Sequence, residues 1–193
     1  MTKEKNAGDE QTAVTIKLGR PITDGQTTWT ELTITPPTLG HHMASEQNGV
    51  GMSQVVSLYA SLAAVPVEAM KGLKTVDARK LEKAIEKLNS GKDAPAPVPH
   101  DVDGATFKLL TPIDAGGGRM LGSITLREPD LAAGIAIEKF QRDHEQTAAS
   151  IAVLSGLTMP VVAALAMRDV RRIEAWLLPF VNDSSSSISD GEI

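Results

Sequence analysis

The sequence predicts an α+β protein built as two tandem copies of a β-hairpin followed by three to four short helices. Three observations lead there. The chain repeats itself: Leu73–Glu82, LKTVDARKLE, returns as Leu165–Glu174, LAMRDVRRIE, which pairs Asp77 with Asp169, Arg79 with Arg171, Leu81 with Ile173 and Glu82 with Glu174. At the same spacing Leu62 meets Leu154, Glu46 meets Glu138, Pro37 meets Pro129 and Leu32 meets Ile124; upstream the spacing shortens by one residue, so that Pro21-Ile22 meets Pro112-Ile113. A one-residue insertion in a turn accounts for the slip, and the repeat governs how the rest is read. Each copy also begins with the alternation of strands and passes to helical spacing after a proline. Finally, a Pro-rich stretch separates the copies and polar stretches bound them. The expected divisions are a disordered start (1–13), a first module (14–91), a linker (92–104), a second module (105–181) and a disordered acidic, Ser-rich tail (182–193).

Val14, Ile16 and Leu18 alternate as a half-buried strand ended by Gly19-Arg20-Pro21. Asp24-Gly25 signals a turn, and Trp29 to Thr35 is the returning strand, stopped by Pro36-Pro37 because proline donates no ladder hydrogen bond. Leu39 to Gln47 reads as a short helix closed by Asn48-Gly49. A second helix follows Ser53, with Val55, Leu58, Tyr59, Leu62 and Val65 on its buried face. Pro66 opens a short third helix, and Thr75 is the expected N-cap of a fourth that buries Ala78, Leu81, Ile85 and Leu88. In the second copy the strands are Thr106 to Leu110 and Ser123 to Arg127, the turn is Ala115 to Gly118, and helices begin near Leu131, Glu145, Pro160 and Arg168. Val170, Ile173, Leu177 and Phe180 repeat the last buried face. The two hairpins could combine into one sheet, and the two copies are expected to pack together because each alone has a marginal core.

Aromatic residues make up only 3% of the chain, so its core must be aliphatic. There are no cysteines, which excludes disulfides, thiol catalysis and Cys-ligated zinc. No apolar run is long enough to span a bilayer, and the polar start is no signal peptide, so a cytoplasmic location is expected. The net charge of −5 gathers in the linker and tail, leaving near-neutral modules without the basic footprint of a phosphate binder.

The duplication supplies an internal control, since a site belonging to the module should occur in both copies. His41-His42 matches Ala133-Gly134, and adjacent helical residues point about 100° apart, so they cannot share one ion from one face. Gly116-Gly117-Gly118 lacks the Lys-Ser/Thr ending of a phosphate loop and lies between strands, as a hairpin turn. Asp77, Arg79 and Glu82 recur as Asp169, Arg171 and Glu174, and Glu46 recurs as Glu138. Without a nucleophile or polar pocket these read as helix-dipole and helix-surface charges rather than an acid–base pair. A helix-turn-helix reading draws on the tight turns at Ala64-Val65 and Gly156-Leu157 and on the basic residues Lys80, Lys83, Lys87, Arg168, Arg171 and Arg172. Its would-be recognition helices, PVEAMKGL and MPVVAAL, carry almost nothing able to read a base edge. Val161, Val162 and Leu165 are instead expected to be a surplus apolar surface, facing a protein partner or the other repeat. No catalytic, cofactor or metal residues are assigned.

The order of these motifs resembles a known family. A strand, Pro-Ile, a turn, then ELTITPP (Glu31 to Pro37) or SITLREP (Ser123 to Pro129), a Leu-rich helix and L-x-x-x-D-x-R-x-L-E (Leu73 to Glu82) is similar to the small tail assembly chaperones of Mu-like and P2-like bacteriophages. The resemblance implies a non-enzymatic chaperone without cofactors, working in the host cytoplasm. Its implied partners are the tape measure protein, which it keeps soluble, and the tail tube protein, which it helps recruit; neither nucleic acid nor membrane is a partner. Members usually carry one copy of the module, so a fused pair could mimic a dimer, and self-association stays open. The alternatives are a helix-turn-helix DNA-binding protein and a minor structural tail protein.

Overall fold

The computed structural model describes residues 13–90, 98–100 and 104–186, with backbone alone at 98–100 and 181–186. The chain divides into two compact units between Ser90 and Gly91. The first contains β1 (Val14–Thr23), β2 (Thr28–Ile34), α1 (Leu39–Glu46), α2 (Met52–Ala63), α3 (Val67–Met70) and α4 (Thr75–Leu88). The second contains β3 (Val98–His100), β4 (Gly104–Asp114), β5 (Met120–Arg127), α5 (Leu131–Ile137), α6 (Asp143–Ser155), α7 (Met159–Ala163) and α8 (Met167–Ser186). The predicted α+β class and its tandem repetition are both present.

Both hairpins are antiparallel. β1 pairs with β2 from Val14–Ile34 to Thr23–Thr28, and β4 pairs with β5 from Gly104–Arg127 to Asp114–Met120. The Asp24 carboxylate closes the first turn by accepting from the Gln26 and Thr27 N–H groups at 2.9 and 2.7 Å. Gly19-Arg20-Pro21 does not end the first strand. The ladder instead shifts register between Lys17 and Ile22, and likewise between Lys108 and Ile113 at the matching place in the second copy. Pro21 and Pro112 lie inside these shifts, where a missing donor is tolerated because the ladder is already broken.

The inward residues Ile16, Ile22, Leu32 and Ile34 meet Leu62, Met70, Leu81 and Ile85 in the first core. In the second unit Phe107, Leu109, Ile124 and Leu126 are buried on the strands and Ile151, Leu154, Val170 and Ile173 on the helices. The hairpins do not merge: β1–β2 is one sheet and β3–β4–β5 another. Val98–His100, expected to be linker, pairs antiparallel with Gly104–Thr106 and so occupies the outer edge of β4. Polyproline and strand geometries are neighbours, so a short Pro-rich segment can pair where an edge is offered. α8 runs to Ser186, past the expected end of the module. The disorder expected for 1–13 and 182–193 otherwise falls, at 1–12 and 187–193, outside the described residues, as do linker residues 91–97 and 101–103.

Two helix details differ from expectation. Thr75 is the first helical residue of α4 rather than its cap, which is Lys74, and Val55 lies on the exposed side of α2 while Ser57, Ala60 and Leu62 face inward. The C-termini of α2 and α6 fall at matching positions and both are left-handed, at Ala64 (φ 51°) and Gly156 (φ 71°). A Cβ is disfavoured in that conformation, and glycine relieves it. Ala64→Gly is therefore expected to stabilise the first unit by about 0.5–1 kcal/mol and Gly156→Ala to destabilise the second by a similar amount. Denaturant midpoints moving in opposite directions would confirm the pair.

Candidate protein-binding surface

The matched acids are structural clamps. Asp77, in the first turn of α4, accepts the Gly19 N–H with both carboxylate oxygens at 3.0 Å. Lys80, one turn on, pairs with Asp77 at 2.6 Å and reaches the Lys17 carbonyl at 3.4 Å. In the second copy Asp169 accepts from Leu110 N–H at 3.0 and 3.1 Å and from Thr111 N–H at 3.3 Å. Arg172 pairs with Asp169 at 2.9 Å and donates to the Lys108 carbonyl at 2.9 Å. These N–H groups lie where the ladder shifts register, so each carboxylate replaces the partner the strand has lost. The Lys80 hydrogen bond and then the Gly19 N–H hold the Asp77 carboxyl below its ordinary pKa. An ionised group so occupied is suited to holding helix on strand.

Arg168 belongs to the same arrangement in the second copy. It is buried, and it donates to the Leu110 carbonyl at 3.2 Å and to Thr111 Oγ1 at 2.7 Å. The expected basic edge therefore loses this residue to the interior, whereas its counterpart Val76 is exposed. Arg79, Arg171 and Glu82 face solvent, and Glu174 accepts from Thr147 Oγ1 at 2.9 Å. Glu46 is half-buried and Glu138 exposed.

His41 serves the N-terminus of α1. Thr38 is the N-cap, and its backbone N–H donates to His41 Nδ1 at 3.1 Å, a capping box with imidazole in place of the usual carboxylate. Burial lowers the His41 pKa, which favours the neutral ring this acceptor role requires. Among the described residues no group of three or more His, Asp or Glu is placed to hold a metal ion. Gly116, Gly117 and Gly118 form the β4–β5 turn, all with positive φ. α3 has four residues and α7 five, with Ala69, Met70 and Val162 buried, so neither presents a face that could lie in a major groove.

The expected surplus at α7 is corrected. Val162 and Leu165 are fully buried and Val161 is half-buried, so this segment is core. Apolar side chains are exposed elsewhere: Val50 (87%), Met52 (76%) and Val67 (41%) in the first unit, and Leu131 (89%) and Ile135 (65%) one turn apart on α5 in the second. Leu131 occupies the position of the fully buried Leu39, because α5 turns Ala133 inward instead. In the first unit the α1–α2 loop, the start of α2 and α3 enclose an open groove of ≈ 460 Å³, with Met52, Val56 and Val67 among its walls and Asn48, Ser57 and Lys71 as polar groups. Asn48 Nδ2 donates to Ser57 Oγ at 2.9 Å. Sequence reasoning missed Met52 and Val67; their only signal was an apolar side chain lying off the buried period.

No helix among the described residues is long and apolar enough to cross a membrane. No curated protein and no solved structure matches the chain. One family matches twice, that of phage tail assembly chaperone proteins, E, or 41 or 14, over residues 15–90 and again over 106–182. Each match spans one hairpin and the helices that follow it, including its clamp. The chain belongs to the phage tail assembly chaperone family and carries that family's module twice.

Proposed function

We propose that this chain binds the tape measure protein in the host cytoplasm, keeps it soluble and helps bring tail tube subunits to it during tail assembly. Membership of the chaperone family supports an assembly role. The observation that carries the binding step is the open groove beside exposed Met52 and Val67, because an apolar groove accepts the apolar face of a partner helix. The role is one of binding, without a chemical step.

Co-expression with the tape measure protein of the same phage tests it. The soluble fraction of that protein is expected to rise several-fold, and the two are expected to co-purify. An unchanged soluble fraction with no co-purification overturns the reading.

A further inference from the structure

We infer that the first repeat alone holds the client through the α2–α3 groove, and that the bound segment is an amphipathic helix carrying a carboxylate beside its apolar residues. The inference rests on the chaperone reading for the identity of the client, but its geometry stands apart from that reading. The groove joins apolar walls, Met52, Val56 and Val67, to a polar side of Asn48, Ser57 and Lys71. The second repeat replaces that polar set with Phe140, Ala149 and Ala163, and places His144 where Met52 stands. Ala148 and Ala149, at the positions of Val56 and Ser57, are buried. The combination of apolar wall and cationic rim is thus found at this position in one copy only, and the duplication makes the comparison at constant fold.

Charge selects the occupant. Lys71 is the charged group lining the groove, and the exposed Lys74 follows three residues later. Lys71 pairs with Glu68 at 2.6 Å, but both side chains are mostly exposed, at 59% and 75%. Exposed pairs of this kind are weak, so Lys71 can exchange Glu68 for a carboxylate on an incoming helix. Such a helix places apolar side chains against Met52 and Val67 at i and i+4 and its acid towards Lys71.

The test uses the full chain and two probes: the tape measure protein, and a synthetic amphipathic peptide with leucines at i, i+4 flanked by glutamates, alongside a twin with lysines at those flanks. Met52→Glu combined with Val67→Glu is expected to weaken retention of both the tape measure protein and the glutamate peptide by at least about tenfold. Val76→Glu combined with Met120→Glu, exposed apolar sites on other elements, should leave retention within about twofold. Lys71→Glu should reverse the preference between the twin peptides. If the groove double variant melts early, Val67→Ser supplies the same comparison without added charge, with a loss of about threefold.

If the wild-type chain retains the tape measure protein and the groove variant retains it equally, the groove is overturned and the chaperone reading survives. If the wild type ignores the tape measure protein but binds the glutamate peptide with this pattern of losses, the groove stands and the client is wrong. Tighter binding of the lysine twin by the wild type overturns the acid-bearing occupant, and binding of neither probe overturns both proposals.

Discussion

Asp169→Ala is expected to destabilise the second unit by about 3–5 kcal/mol, the range for breaking a buried, hydrogen-bonded ion pair from one side. Asp169 is 1% exposed, and its two oxygens serve the N–H groups of Leu110 and Thr111. Removing the carboxylate leaves both strand donors without their acceptor at a point where the ladder offers no substitute, at about 1–3 kcal/mol each. It also strips Arg172, whose side chain is only 13% exposed, of its carboxylate partner at 2.9 Å. Asp77→Ala should act in the same direction but less strongly, because its cationic partner Lys80 is 47% exposed against 13% for Arg172.

The two units need separate readouts, since a two-unit chain need not unfold in one step. Trp29 reports on the first and Trp176 on the second, and these are the chain's two tryptophans. In a Trp29→Phe background the urea midpoint followed at Trp176 should fall sharply for Asp169→Ala. A shift worth less than about 1 kcal/mol would mean the carboxylate is a surface charge after all.

The paired Asp77 and Asp169 show how far the sequence could be followed. That they recur was visible, and so was their place in the first turn of a helix; the helix-dipole reading gave them a structural role for a partial reason. Their acceptor function was hidden because the partners Gly19 and Leu110 lie 58 and 59 residues away. The same long reach misled the reading of Gly19-Arg20-Pro21, where a local rule ends the strand at proline and a remote carboxylate lets it continue as a bulge. Hydrophobic spacing placed the helices well because burying a stripe is a local demand on each helix. It could not tell which apolar residues would stay uncovered: Leu39 and Leu131 are identical, equally placed and followed by similar helices, yet one is fully buried and the other 89% exposed. That outcome depends on which neighbouring side chain, Leu39 or Ala133, the helix turns to the core, a choice made by packing rather than by pattern.

Leu165→Ala should cost the second unit about 2–5 kcal/mol, the range for emptying a fully buried leucine site. The residue is 0% exposed and follows α7, and its N–H is held by the Val162 carbonyl at 3.0 Å, so the backbone cannot easily move to fill the space. Leu73 at the matching position is only half-buried, and Leu73→Ala should cost about half as much. The comparison decides between two roles for the apolar α7 segment. As a partner surface, Leu165 could be truncated without loss of stability, and only binding would suffer. As core, its truncation lowers the Trp176 midpoint. Asp169 follows four residues later, in the first turn of α8, so the two losses should not simply add: once the clamp is gone, the strand it held can shift towards the vacated space. A double variant losing less than the sum of the two single variants would show that clamp and core act on one packed unit.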